Sequence, residues 1–147
     1  MAELNFESLY ESALAFAQKK HAGQLRIDGF PYITHPQAVA EGFPFGREKL
    51  AAILHDVLED TDATDEDLIR LGVDEPTLTA LHLLTHDWNE KTYEQYVADI
   101  ALNPIAKAVT LADLAHNLAT IDTVEEPKRS RLLERYVKAR AFLEQNQ

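Results

Sequence analysis

The chain has no cysteine among its 147 residues. That excludes disulfides and thiolate metal ligands, so a transition-metal site must be built from its six histidines and its acids. No apolar run approaches the roughly 18 residues of a membrane span. The N-terminus carries Glu3 and Glu7 and lacks the basic n-region of a signal peptide. These absences predict a cytoplasmic protein with no membrane partner. A surplus of basic residues is missing too. The formal net charge is −11, and a duplex-binding surface needs clustered Lys and Arg, so nucleic acid is not an expected partner. The one basic cluster, Lys128 to Arg140, alternates with Glu134 at helical spacing and reads as a solvated, salt-bridged helix face.

What is present is helical punctuation. Residues 5–21 carry Leu9, Ala13, Phe16 and Ala17 at amphipathic spacing, with Gly23 placed as a C-terminal cap. Asp28-Gly29 followed by Pro31 predicts a short hairpin or irregular loop over 25–34. Pro36 opens a helix to about Gly42, with His35 on the cap side. A helix over 47–59 follows, then a capping box at Thr64 for a helix stopping at Gly72. Asp74 with Pro76 starts another helix through Leu84, and Thr92-x-x-Gln95 is a further capping box. Asn103-Pro104 opens a long helix to about Ile121, and Pro127 starts the last one. About eight helices with short connections predict one all-α domain, 1–147, an orthogonal helical bundle.

The most informative segment is Ala51-Ala52-Ile53-Leu54-His55-Asp56-Val57-Leu58-Glu59-Asp60-Thr61. On one continuous helix His55 and Glu59 share an edge, and Asp56 and Asp60 the adjacent one. Three carboxylates then crowd a helix C-terminus, where the dipole already disfavours negative charge. Repulsion would raise one carboxylate pKa, and a bound cation removes both problems. The other reading is an acidic helix end dissolved in water. Downstream, Asp113, His116, Asn117 and Thr120 fall at i, i+3, i+4 and i+7 among Leu111, Ala112, Leu114, Ala115 and Leu118. A polar stripe flanked by apolar residues lines a pocket more readily than it faces water.

Read with His21-Ala22-Gly23-Gln24-Leu25-Arg26 and Gly29-Phe30-Pro31-Tyr32-Ile33-Thr34-His35-Pro36, these segments resemble the HD superfamily of metal-dependent phosphohydrolases. Within it they are most similar to the hydrolase domain of RelA/SpoT-type alarmone enzymes and their small single-domain relatives. The patterns H-x-G-Q-x-R, G-x-P-Y-x-x-H-P, L-H-D-x-x-E-D-T and L-A-D-x-x-H-N occur in order between His21 and Thr120. The resemblance implies an HD helical bundle. It also implies one divalent metal on His35, His55, Asp56 and Asp113, with manganese as the family's ion; the ligand chemistry alone also allows iron, zinc or cobalt. It implies Glu59 and Asp60 as the acid–base pair for a water attacking phosphorus. Arg26 is implied as the residue stacking on guanine, with Asn117 and Thr120 near the ribose. His21 and Gln24 match the family and read as scaffolding. His82 reads as packing or surface, and His86-Asp87 lacks the partners of a second metal site.

Ile27, Asp28, Thr110 and Ala119 stand where the family often has lysine, serine, lysine and arginine, so the pocket loses positive charge. Either Lys19, Lys20, Lys91 or Lys107 compensates, or the substrate carries fewer phosphates. No synthetase domain follows in these residues, so a stand-alone hydrolase is expected. Three readings result: a 3′-pyrophosphate hydrolase of guanosine tetra- or pentaphosphate, an HD phosphohydrolase of another nucleotide or phosphoester, or a silent binding module. All three take a small-molecule nucleotide or phosphoester, and none fixes an oligomeric state.

Overall fold

Leu50-Ala51-Ala52-Ile53-Leu54 sets the architecture. All five are at most 1% exposed, and a helix that is apolar on every side must be surrounded. In the computed structural model, which describes residues 4–145, they lie in α3 (Arg47–Leu54). Packed against α3 are α1 (Phe6–Lys20), α2 (Thr34–Glu41), α6 (Glu75–Leu84) and α8 (Pro104–Ala119). The remaining segments are α4 (Val57–Asp60), α5 (Asp65–Leu71), α7 (Tyr93–Ile100) and α9 (Lys128–Gln145), with a 3-10 turn over Ile121–Thr123. Among the described residues no strand occurs, and none of the helices is long and apolar enough to cross a membrane. The all-α bundle expected from the sequence is the fold observed.

Most helix starts follow the side chains that announce them. Thr64 and Thr92 each accept from the backbone N–H three residues on, while Asp67 and Gln95 accept from the cap's own N–H. Asn103 caps α8 through Ala106 N–H at 2.9 Å. Asp74 anchors two helices, accepting from Thr77 Oγ1 at 2.5 Å and from Arg47 Nε at 2.6 Å. Residues 25–34 form a hairpin-like loop. It is closed by one antiparallel bridge between Leu25 and Pro31, with Gly29 at φ +88°.

Three boundaries differ from the sequence reading, and the first two lie at the site. The helix expected over 47–59 is broken at His55-Asp56 into α3 and α4, which turns eight expected helices into nine α-helical segments among the described residues. Ala52 O accepts from the His55 ring Nδ1 at 2.6 Å as well as from the His55 backbone N–H at 3.5 Å. A side chain thus takes a carbonyl that a continuous helix needs. The second difference is that α2 starts at Thr34, so His35 sits inside the first turn and not at its cap. Pro31 O and Tyr32 O accept the Thr34 and His35 N–H groups, which extends the turn backward. The long helix α8 also stops at Ala119, two residues short of the expected end.

Gly72 ends α5 at φ +102°, and an added Cβ would lie 2.8 Å from Leu9 Cδ2 of α1. Gly72→Ala is therefore expected to lower unfolding stability by about 1–3 kcal/mol. Urea unfolding followed by far-ultraviolet circular dichroism measures it, and an unchanged midpoint contradicts the packing described.

Candidate metal centre

Three segments that are distant in sequence meet at the end of α3. His35 comes from the first turn of α2, His55 and Asp56 from the α3–α4 break, and Asp113 from the middle of α8. His55 Nε2 lies 3.1 Å from Asp56 Oδ2 and 3.3 Å from Asp113 Oδ1. His35 Nε2 lies 2.6 Å from Asp113 Oδ1. One ligand atom from each of His35, His55 and Asp56 fits within 4.8 Å of the others, and Asp113 bridges both imidazoles. His35 and His55 are buried, and the two carboxylates are half-buried.

The protonation pattern suits a cation. His55 Nδ1–H donates to Ala52 O, so Nε2 carries a lone pair. That atom is buried with no hydrogen-bond partner, facing two carboxylate oxygens. Lone pair against anion is repulsive unless a proton or a cation lies between. Donors at right angles around one ion, with bonds of about 2.2 Å, stand about 3.1 Å apart, the spacing between His55 Nε2 and Asp56 Oδ2. For His35 to offer Nε2 to an ion its proton must sit on Nδ1, where His116 Nδ1 accepts at 2.7 Å. Burial first, with the positive charge of Arg26 adding to it, pushes the His116 pKa down and keeps that ring a neutral acceptor. Two imidazoles and two carboxylates without cysteine form a possible site for a divalent ion with open positions.

The electrostatics agree. Burial would raise Asp113, but the His35 and His55 imidazoles against it outweigh burial and hold the carboxyl below the usual range. Asp56 is likewise depressed: burial opposes, and His55 prevails, helped by Tyr32 Oη donating to Asp56 Oδ2 at 2.5 Å. His55 is pushed well above the ordinary histidine value, because Asp56 and Asp113 overcome the effect of burial. The lone pair that would take a metal is therefore one that protons also seek.

Glu59 and Asp60 stand on α4 beside these groups. Burial raises both carboxyls, with the charges of Asp60 and Asp56 adding to it at Glu59 and that of Asp56 at Asp60. The helix break denies Glu59 the shared edge with His55 that a continuous helix implies. Its Oε1 instead accepts the His86 backbone N–H at 2.7 Å. His86, set aside in the sequence as a histidine without metal partners, donates its Nε2–H to Lys91 O at 3.0 Å and stacks on Tyr96. His86 thus positions Glu59 through its backbone, a role that no side-chain pattern announces. His21 Nδ1 donates to Gln24 Oε1 at 2.8 Å, and Gln24 Nε2 donates to Asp60 O at 2.9 Å, so the pair braces the end of α4. His82 pairs with Asp65 at the surface.

Asp56, Glu59, Asp60 and Asp113 open on a cavity of about 350 Å³ that Arg26, Asn117 and Thr120 also line. Arg26 donates to Asp28 Oδ2 at 3.0 Å and to Thr120 Oγ1 at 3.2 Å, so its charge is largely matched by Asp28. Of the lysines expected to compensate, Lys20 pairs with Asp62 and Lys91 with Asp99, and none of the four lines a cavity at the metal centre. Tyr32, Tyr136 and Arg135 were not singled out by the sequence. Only Tyr32, inside the G-x-P-Y pattern, carried a signal.

With the geometry described, comparison with known proteins places the chain. No family model matches it. It is 33% identical over 142 residues to a GTP pyrophosphokinase of Myxococcus xanthus, covering 84% of this chain and 18% of that protein. It is 34% identical over 139 residues to the guanosine-3′,5′-bis(diphosphate) 3′-pyrophosphohydrolase of Spiroplasma citri, covering 85% and 18%. Against the bifunctional (p)ppGpp synthase/hydrolase SpoT of Escherichia coli it is 35% identical over 137 residues, covering 82% and 19%. The chain spans about a fifth of the length of the curated relatives it matches. A solved structure described as a metazoan orthologue of SpoT that hydrolyses ppGpp superposes with a TM-score of 0.80 at 24% identity, over 97% of this chain and 88% of that one. Over more than four-fifths of its length the chain is thus similar to a segment of RelA/SpoT-type proteins, as its motifs indicated.

Because His55 must be neutral to donate its lone pair, and its pKa is raised, protons compete with metal. The apparent metal affinity is expected to fall as pH drops, by about tenfold per pH unit once below the raised His55 pKa. His55→Ala is expected to lose the metal at every pH. Metal titration by calorimetry checks both, and full metal content in His55→Ala contradicts the assignment.

Proposed function

We propose that this chain is a metal-dependent phosphohydrolase that removes the 3′-pyrophosphate of guanosine tetra- or pentaphosphate. The observation that carries the reading is one of placement: His35, Asp56 and Asp113 of the donor set and the Glu59–Asp60 pair face the same cavity as Arg26, Asn117 and Thr120, with His55 behind them against Asp56 and Asp113. The printed names of the relatives include both pyrophosphokinase and pyrophosphohydrolase. The donor set favours hydrolysis, because its carboxylates and imidazoles suit activation of water. Manganese is the ion we assign, with iron, zinc and cobalt permitted by the same ligands. We read the chain as one HD hydrolase domain acting in the cytoplasm on a small nucleotide.

A divalent ion on the four ligands would lower the pKa of water and offset charge on the phosphoryl oxygens. The protein's own groups do the rest. The guanidinium plane of Arg26 lies against the base, with Asn117 and Thr120 toward the ribose. Glu59, with Oε1 tied to the His86 N–H, keeps Oε2 for the attacking water and accepts one of its protons. The water oxygen bonds to the phosphorus next to the ribose, and the bond from that phosphorus to the ribose 3′ oxygen breaks. Asp60, whose raised pKa lets it hold a proton nearer neutrality, supplies the proton to that oxygen. The products are GDP or GTP and pyrophosphate.

A second reading, hydrolysis of a different nucleotide or phosphoester, is favoured by Ile27 on the larger cavity and buried Thr110 on its neighbour, where family members often carry lysine. A panel of nucleotides with and without a 3′-pyrophosphate, assayed for released pyrophosphate and phosphate with added manganese, separates the two. Turnover of simpler nucleotides without pyrophosphate release from the alarmone decides for the second.

Glu59→Gln keeps an acceptor for the His86 N–H, so fold and metal content should survive. Its kcat should fall about 10²–10⁴-fold, as should that of Asp60→Asn. The base must be ionised, so wild-type activity should decline as pH falls through the raised Glu59 pKa, above the ordinary carboxylate range. Unchanged turnover in both variants rules out the acid–base assignment. Arg26→Ala should mainly raise KM, because base stacking binds ground and transition states alike. A steady-state comparison showing only a kcat loss contradicts that role.

A further inference from the structure

The metal centre sits between two cavities. The larger, of about 350 Å³, holds Arg26 and Thr120. A smaller one of about 190 Å³ lies on the other side, and His55, Asp56, Glu59 and Asp113 belong to its wall as well. Asp56, Glu59, Asp113 and Asn117 line both, so a ligand lying along these residues reaches both spaces. The smaller space exceeds the roughly 150 Å³ cavity that accommodates a benzene ring, which suits a group of phosphate size but not a nucleoside.

Each cavity has one Lys or Arg in its lining. In the larger it is Arg26, matched by Asp28 at 3.0 Å. In the smaller it is Arg135, from α9. Arg135 departs from the salt-bridged face expected for that helix. Glu134 pairs with Lys138, and Arg140 with Glu144, but Arg135 forms no ion pair among the described residues. Its guanidinium lies 5.0 Å from the ring centre of Tyr93 and 5.3 Å from that of Trp88. Aromatic faces fix a guanidinium in place without neutralising it or using its N–H groups. A fork of free donors is thereby aimed at a cavity whose other charged groups are carboxylates. Nothing anionic and mobile would enter such a space without a cation to meet it.

We infer that Arg135, braced by Trp88 and Tyr93, is the subsite for the distal phosphate of the 3′-diphosphate. This rests on the proposed function and extends it: the nucleoside occupies the Arg26 cavity, the phosphorus under attack lies at the shared wall, and the outer phosphate lies in the Arg135 cavity. Arg135 supplies the positive charge that Ile27, Thr110 and Ala119 do not, from a different element of the fold. It binds the departing diphosphate and has no part in moving protons.

The test uses Arg135→Ala and Arg135→Lys in the manganese-loaded protein. Binding of inorganic pyrophosphate is measured by calorimetry, with GDP as control, alongside kcat/KM for guanosine 5′-diphosphate 3′-diphosphate and its 3′-monophosphate analogue. In Arg135→Ala, pyrophosphate affinity is expected to weaken about tenfold or more, with GDP binding unchanged. Its kcat/KM should fall by about 10–100-fold on the 3′-diphosphate and by less than about twofold on the 3′-monophosphate. Arg135→Lys, which keeps charge but loses the fork, should fall between. Arg135 is exposed, so the thermal midpoint should move by no more than a few degrees. Unchanged pyrophosphate binding, or equal losses on both nucleotides, overturns the assignment. A wild-type protein that hydrolyses neither nucleotide overturns the proposed function instead, and the pyrophosphate titration then decides Arg135 on its own.

Discussion

The structure depends on keeping two carboxylates and two imidazoles in mutual contact at the end of a helix that water does not reach. Leu50 to Leu54 give α3 no solvent side, so the chain leaving it at His55 begins inside the protein. His55 Nδ1 is fixed on Ala52 O, and its Nε2 has only carboxylate oxygens before it. A buried lone pair facing anions is unfavourable by itself. The packing that creates this arrangement, α2 and α8 closing on α3, is also what brings His35 and Asp113 to it.

Around that cluster the supporting contacts are mostly ones in which a neutral donor steadies an acid. Tyr32 Oη holds Asp56, the His86 N–H holds one oxygen of Glu59, and Gln24 holds the backbone of Asp60. No lysine lines either cavity; Lys20 is paired with Asp62 and Lys91 with Asp99. The effect is to separate two pairs of carboxylates by their surroundings. Asp56 and Asp113 are held ionised by histidine contacts, while Glu59 and Asp60 are raised by burial and by neighbouring charge. This split of the same residue type by environment is the pattern on which the proposed division into ligand and acid–base carboxylates rests.

The helix break shows how local chemistry and packing conflict at a site. Helical periodicity asks for one helix through Glu59, and the apolar pattern supports it. The ring of His55 competes for Ala52 O, and Asp56 takes a bridge-like conformation at φ −106°, ψ −2°. Glu59 then answers to the 86–93 segment and not to His55. That segment also supplies Trp88 and Tyr93, which hold Arg135, so α4, the 86–93 turn and α9 are tied together around the smaller cavity.

The sequence by itself determined the helical class and most helix boundaries, and it marked the residues that the fold brings together at the candidate site. Capping side chains act over three or four residues, apolar spacing reports directly on burial, and ordered motifs mark His35, His55, Asp56 and Asp113. The capping boxes at Thr64 and Thr92 and the cap at Asn103 were legible for that reason. Contacts across the fold were not. That His116 accepts from His35, 81 residues away, that a backbone N–H at His86 holds Glu59, and that Arg135 lies against two aromatic rings are facts of three-dimensional placement. The physical reason is range: capping and periodicity are properties of neighbouring residues, whereas charge compensation acts through space and takes whichever cation the packing of α9 brings near.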